Sequence, residues 1–247
     1  MTATAIGWIA PDWPVPEHVR VVSTLRGGGV SEGPYASLNL AAHVGDRPEA
    51  VTTNRLLLRE AARLPAEPLW LGQVHGNDVV RHEGLATGAR ADASVAFAPG
   101  RVCAVMTADC LPVVFADRRG TRVGVAHAGW RGLAGGVLQA TIAALAVSVG
   151  DLHAWLGPAI GPGAFEVGAE VREAYVGAVS GSEACFVRNE RGRYLADLYR
   201  LATLVLEAAG VAQVHGGGWC THRESQRFFS FRRDGATGRM ATLAWIA

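Results

Sequence analysis

Two short segments carry residues able to do chemistry, Thr107-Ala-Asp-Cys-Leu-Pro112 and Ala126-His-Ala-Gly-Trp-Arg-Gly132. Between them lie two strand-like runs, Val113 to Ala116 and Thr121 to Ala126, joined by the turn-like Asp117-Arg-Arg-Gly120. A four-residue loop there pairs Ala116 with Thr121, and the continued antiparallel register sets Cys110 opposite His127. Directly paired residues share a face, with Cβ atoms about 4.5 to 5.5 Å apart. A thiolate and an imidazole at that spacing either bind one metal ion or act as nucleophile and base. Cys110 also reads as an inert buried thiol, the ordinary state of a free cysteine. Gly129 and Gly132 allow close approach of backbone or ligand. A helix starting near Gly132 offers free amides to an anion, with Arg131 as a fork donor or, equally, as a surface ion-pair partner.

Other histidines compete for the same role. His75 follows the apolar run Trp70-Leu-Gly-Gln-Val74 and either ends a strand in a tight His-Gly turn or serves as a ligand. The tetrapeptide Gln73-Val-His-Gly76 recurs as Gln213-Val-His-Gly216, and the second copy runs on to Cys220-Thr-His222. On a strand, Cys220 and His222 share one face, so with His215 they form a rival constellation. His18, His82 and His153 stand alone and read as surface or structural residues.

The elements that must position these residues are strands and helices interspersed without a strict βαβ rhythm. Val19–Leu25, Leu69–Val74, Val102–Thr107 and Ala154–Leu156 read as strands, and Arg227–Arg232 and Met240–Ile246 as two more around Asp234-Gly235. Pro48–Leu64, capped by Asp46, Glu170–Val179 and Leu195–Ala209 read as helices, the last capped by Asp197 if it starts later. This order predicts a mixed α/β or α+β fold, a single unit over residues 1–247, rather than a doubly wound sheet.

Composition narrows the function classes. The chain has 247 residues, 49% hydrophobic and 18% charged, with a net charge of +1. That is ordinary for a compact protein with a substantial core, and it argues against nucleic acid or an anionic membrane as the main partner. All 23 basic residues are arginine. Schiff-base and phosphate-loop lysines are thereby excluded, while bidentate arginine clamps remain available. Cys103, Cys110, Cys185 and Cys220 show no C-x-x-C spacing, which predicts a reducing, cytoplasmic setting. The N-terminal stretch lacks a basic region and carries Asp12 and three prolines, unlike a secretory signal. The uncharged stretch from Gly132 to Gly150 is broken by glycine, Gln139, Thr141 and Ser148, and reads as a buried helix rather than a membrane span.

TADCLP at 107–112, AHAGWRG at 126–132 and QVHG at 73–76 resemble the signature of the YfiH-like family. Its members are variously described as polyphenol oxidase or laccase-domain proteins, as peptidoglycan editing factors, and as purine nucleoside phosphorylase relatives of FAMIN. The likeness extends through Ser37-Leu-Asn-Leu40, His43-Val-Gly-Asp46, Asn54-Arg55, Ala91-Asp92, Trp155-Leu-Gly-Pro158, Phe165-Glu-Val-Gly168, Cys220-Thr221 and Arg239-Met240, nearly the whole chain. Two positions depart from the pattern: Leu25 stands where threonine is common and Gly163 where cysteine is common.

The resemblance implies packed mixed sheets flanked by helices and a metal site of His75, Cys110 and His127. Zinc suits two imidazoles and one thiolate with an open fourth position, and copper is the alternative. It implies purine nucleoside phosphorolysis, adenosine deamination and methylthioadenosine cleavage. Asp109 is the expected proton carrier, and Arg26, Asn39 and Arg131 the expected phosphate donors. The expected partners are small molecules, nucleoside and phosphate, while the oligomeric state is left open. Three alternatives come from other classes: a copper-dependent phenol oxidase, a cysteine hydrolase editing peptidoglycan precursors with Cys110 and His127 as nucleophile and base, and a non-enzymatic zinc-stabilised binding protein.

Overall fold

In the computed structural model, which describes residues 5–83 and 87–247, the apolar runs become strands that are buried on both faces. In chain order there are strands β1 (Trp8–Ile9) and β2 (Val19–Thr24), helix α1 (Pro48–Ala61), and strands β3 (Val79–Arg81), β4 (Ala93–Ala96), β5 (Cys103–Thr107), β6 (Leu111–Asp117) and β7 (Val123–Ala128). Helices α2 (Trp130–Ala134) and α3 (Val137–Leu145) follow, then β8 (Leu152–Leu156), β9 (Glu166–Val167), α4 (Ala169–Glu173), β10 (Phe186–Arg188) and β11 (Tyr194–Ala196). The chain ends with α5 (Leu198–Ala208), β12 (Gln213–Gly216), α6 (Phe231–Asp234) and β13 (Met240–Ile246). No helix is long and apolar enough to cross a membrane among the described residues; the stretch 132–150 is spent on α2, α3 and a short turn.

The fold is mixed α+β. A six-stranded sheet runs β12-β8-β6-β7-β4-β3, with β12–β8 and β3–β4 parallel and the other pairs antiparallel. A four-stranded antiparallel sheet runs β1-β2-β13-β5, and a small third sheet runs β10-β11-β9. Alternation of side chains along each strand sorts them into layers. Val114, Ala116, Val125 and Trp155 of the large sheet pack against Val21, Val105, Ala244 and Ile246 of the four-stranded one. Their neighbours Val113, Phe115 and Ala154 point the opposite way, onto Leu138, Ile142 and Leu145 of α3 and Leu201 and Val205 of α5. The outer face of the four-stranded sheet, Val22, Ala104 and Leu243, is covered by Leu58 of α1 together with Leu38, Leu40 and Trp70. Sheets buried on both sides explain why β5, β6 and β7 read as continuous apolar runs.

Several local expectations are corrected. The β6–β7 register pairs Ala116 with Val123 and Pro112 with His127, not Ala116 with Thr121. The turn is longer because the Asp117 carboxylate accepts from the Thr121 and Arg122 amides and the Thr121 hydroxyl. A shift of two residues preserves the face, so Cys110 still lies on the His127 side, opposite Gly129 by extrapolation of the register. Leu69–Val74 forms a single bridge, Leu69 with Cys103, rather than a strand. The Gln73 side chain takes the place of a neighbouring strand there, donating to the Met106 carbonyl at 2.9 Å and accepting from its amide at 2.7 Å. Asp46 does not cap α1; it holds the Ser31 hydroxyl, Asn39 and the Arg47 amide instead. Residues 227–232 are not a strand, because Ser230 caps the short α6 by accepting from the Arg233 amide. Helix α4 stops at Glu173, and Leu195 belongs to β11, so α5 begins after Asp197, whose side chain caps it through the Arg200 amide.

Candidate active site and metal centre

The ends of β6 and β7 and the turn at His75 converge on one point. His75, Cys110 and His127 each present a ligand atom, all within 4.8 Å of one another, with Cys110 Sγ 3.8 Å from His75 Nε2 and the two imidazole rings 4.7 Å apart. His127 is buried, Cys110 half-buried and His75 exposed, so burial rises across the cluster from His75 to His127. A tetrahedral zinc ion with ordinary Zn–S and Zn–N lengths separates sulfur from nitrogen by about 3.6 Å, so this donor set fits the ion with little movement. Among the described residues this is the only such cluster.

Asp92, whose type and spacing alone do not mark it as a site residue, builds the centre. Its fully buried carboxylate accepts from His127 Nδ1 at 2.8 Å and from the amides of Val74, His75 and Gly76 at 3.1, 2.9 and 2.7 Å. Three converging amides hold His75 in a left-handed conformation, φ 62°, which is otherwise unfavourable for a residue with a Cβ. The bond to Nδ1 leaves His127 Nε2 as the ligand atom. Burial alone would raise the Asp92 carboxyl, but the bonds from His127 and the amides outweigh it and hold it below its ordinary value. The signal available in sequence was an acidic residue inside the apolar stretch Ala91–Ala96, which a buried sheet tolerates only with partners.

Electrostatics couple the pair. Burial works against the Cys110 thiolate, yet the His127 and His75 imidazoles bring the thiol down to about 6. Burial likewise opposes an imidazolium, yet the Cys110 thiolate and Asp92 push His127 up to about 9. Gly129 makes the approach feasible, since a Cβ there would lie 2.9 Å from Cys110 Sγ and 3.1 Å from the His75 ring.

Above the cluster opens a cavity of about 220 Å³, walled also by His43, Gln73, Met106, Phe231 and Arg239. The other expected site residues lie elsewhere. The Asp109 carboxylate is occupied by the Thr221 hydroxyl and the Arg232 amide, both at 2.6 Å, and does not line the cavity. Arg26 donates to the carbonyls of Ala36 and Ser225, and Asn39, fully buried, ties Ala41, Asp46 and the Arg239 amide. Arg131 is exposed, its guanidinium 4.2 Å from the Trp130 ring centre, at the start of α2, which begins two residues before Gly132. The rival set is dispersed: His215 pairs with His153 at 3.3 Å, and Cys220 Sγ accepts from the Gly161 amide.

Residues 20–247 match the family described as multi-copper polyphenol oxidoreductase laccase. The chain belongs to this laccase-domain, YfiH-like family. A Pseudomonas aeruginosa member named purine nucleoside phosphorylase is 55% identical over 97% of this chain and 98% of its own. The Escherichia coli member named purine nucleoside phosphorylase YfiH is 53% identical over 96% of this chain and 98% of its own. The crystal structure of a Neisseria meningitidis family member superposes with a TM-score of 0.94 at 51% identity, over 98% of this chain and 99% of that one. The two descriptions, oxidase and phosphorylase, thus both attach to proteins that this chain resembles over nearly its whole length.

Proposed function

We propose that this protein is a zinc-dependent purine nucleoside phosphorylase whose site is the cavity over His75, Cys110 and His127. The observation that carries the reading is the convergence of these three ligand atoms at the base of a cavity, in a chain 55% identical to a protein bearing that name. Two imidazoles and one thiolate would hold the ion with one position left for a ligand atom, and zinc there supplies a Lewis acid.

In phosphorolysis a phosphate oxygen bonds to C1′ of the ribose while the C1′–N bond breaks and the leaving base takes up a proton. Asp92 keeps His127 in one tautomer and orientation, so its Nε2 stays directed at the centre. Met106 and Ala108 line the cavity with apolar surface, and Phe231, 59% exposed on the cavity wall, offers a face to a purine. Adenosine deamination and methylthioadenosine cleavage are proposed for the same site.

The test uses purified protein of measured metal content, incubated with inosine with and without phosphate. Hypoxanthine and ribose 1-phosphate are expected only with phosphate, and both are lost in Cys110→Ala. Unchanged product formation by that variant sinks the reading.

A second reading, a cysteine hydrolase, is favoured by the lowered Cys110 thiol beside a histidine oriented by a buried carboxylate. Exhaustive chelation separates the two: a hydrolase keeps its activity and the metal-dependent phosphorylase loses it.

A further inference from the structure

A guanidinium recognises an oxyanion best through the edge formed by Nε–H and one Nη2–H, two parallel donors that match two oxygens. In Arg26 and Arg55, neither of which lines the cavity, that edge is already spent on the protein. Arg26 directs Nε and Nη2 at the Ala36 carbonyl, at 3.1 and 3.0 Å. Arg55 directs the same two nitrogens at the Leu40 carbonyl, at 3.0 and 2.8 Å.

Arg239 is different. Only its Nη1 is used, donating to the carbonyls of Thr237 and Gly238 at 2.9 and 3.0 Å. Among the described residues nothing in the protein accepts from Nε or Nη2. The side chain is half-buried, lines the cavity that holds the His-Cys-His cluster, and lies with its guanidinium 5.7 Å from the Phe231 ring centre. Its backbone is fixed too, the amide donating to Asn39 Oδ1 at 3.0 Å and the carbonyl accepting from Leu40. A guanidinium withdrawn from solvent, held by its Nη1 and its backbone, and left with a vacant fork is built for a counter-charge. His43 lines the same cavity. Burial, then the charges of Arg239 and Arg55, hold its imidazole below the ordinary value, and in either protonation state it carries an N–H donor.

We propose that the Nε–Nη2 edge of Arg239, with His43 on the same cavity wall, is an oxyanion subsite that takes inorganic phosphate. That the anion is a co-substrate rests on the phosphorylase reading; that the subsite exists does not.

Two measurements test it. In the metal-loaded enzyme, Arg239→Gln is expected to raise KM for phosphate about tenfold or more, because two charge-assisted hydrogen bonds are lost, while KM for inosine and metal content stay within twofold. Arg239→Lys keeps the charge without the fork and should fall between. Arg118→Gln, at an exposed arginine paired with Asp151 and outside the cavity, should leave the phosphate KM unchanged. An unaltered phosphate KM in Arg239→Gln overturns the proposal. The second measurement needs no variant: wild-type protein is treated with phenylglyoxal with and without phosphate, and modification of the Arg239 peptide is followed by mass spectrometry. Phosphate protection of Arg239 is expected, and equal modification in both conditions overturns the subsite. If the wild type releases no base from inosine, the phosphorylase reading fails, and the protection experiment still decides whether Arg239 holds the anion.

Discussion

Asp92 Oδ1 accepts the His127 Nδ1 hydrogen bond at 2.8 Å in a region from which both side chains are shielded from solvent. The same oxygen accepts the His75 amide at 2.9 Å, so one carboxylate sets the geometry of two of the three ligands. Asp92→Asn is expected to lower metal affinity by about 10- to 100-fold, the usual cost of losing such a partner. Competition with a chelator of known affinity measures it; wild-type affinity in the variant contradicts the role.

Gly129 faces Cys110 and His75 so closely that a methyl group must displace one of them. Its backbone is extended, φ −62° and ψ 159°, so alanine is tolerated conformationally and the penalty falls on the site. Gly129→Ala should lose most of its bound metal while unfolding at a denaturant concentration that reflects a loss of about 1–3 kcal/mol. Full metal occupancy in the variant would contradict the packing described.

Cys110 should be the reactive thiol of metal-free protein. With its thiol at about 6, the thiolate fraction grows as pH rises through 6 and is nearly complete by neutrality. Cys103, by contrast, is pushed up to about 12 by burial and should stay inert. Iodoacetamide labelling followed by peptide mass spectrometry is expected to show half-maximal Cys110 labelling near pH 6 and protection by added zinc. A midpoint near the ordinary thiol range of about 8.5 refutes the His127 pairing.

Asn54 joins the segment around Ser31 to that around Asn39, which in turn fixes the Arg239 backbone. Its Nδ2 donates to Ser31 Oγ and the Ser37 and Asn39 carbonyls, and its Oδ1 accepts from Val30, all in a fully buried position. Asn54→Ala should cost roughly 2–4 kcal/mol, since several buried groups lose their partner at once. Urea unfolding is the measurement, with a lower midpoint at unchanged slope expected.

The linear chain already determined much of this. Apolar runs such as Val113–Ala116 announced buried strands, and a Cys and a His flanking a hairpin announced a shared face, because side chains alternate with a period of two and survive a register shift of two. The missing strand at Leu69–Val74 and the missing Asp46 cap were not legible, since side chains distant in sequence, Gln73 on Met106 and Asp46 on Ser31, take over the hydrogen bonds that local patterning assigns to the backbone. The same limit governs the site. Residue types and spacing singled out Cys110 and His127, and family likeness added His75. Tertiary structure alone decided that Asp92 orients them and that Arg239 keeps its fork open where Arg26 does not, because hydrogen-bond satisfaction depends on which groups the fold brings within about 3 Å.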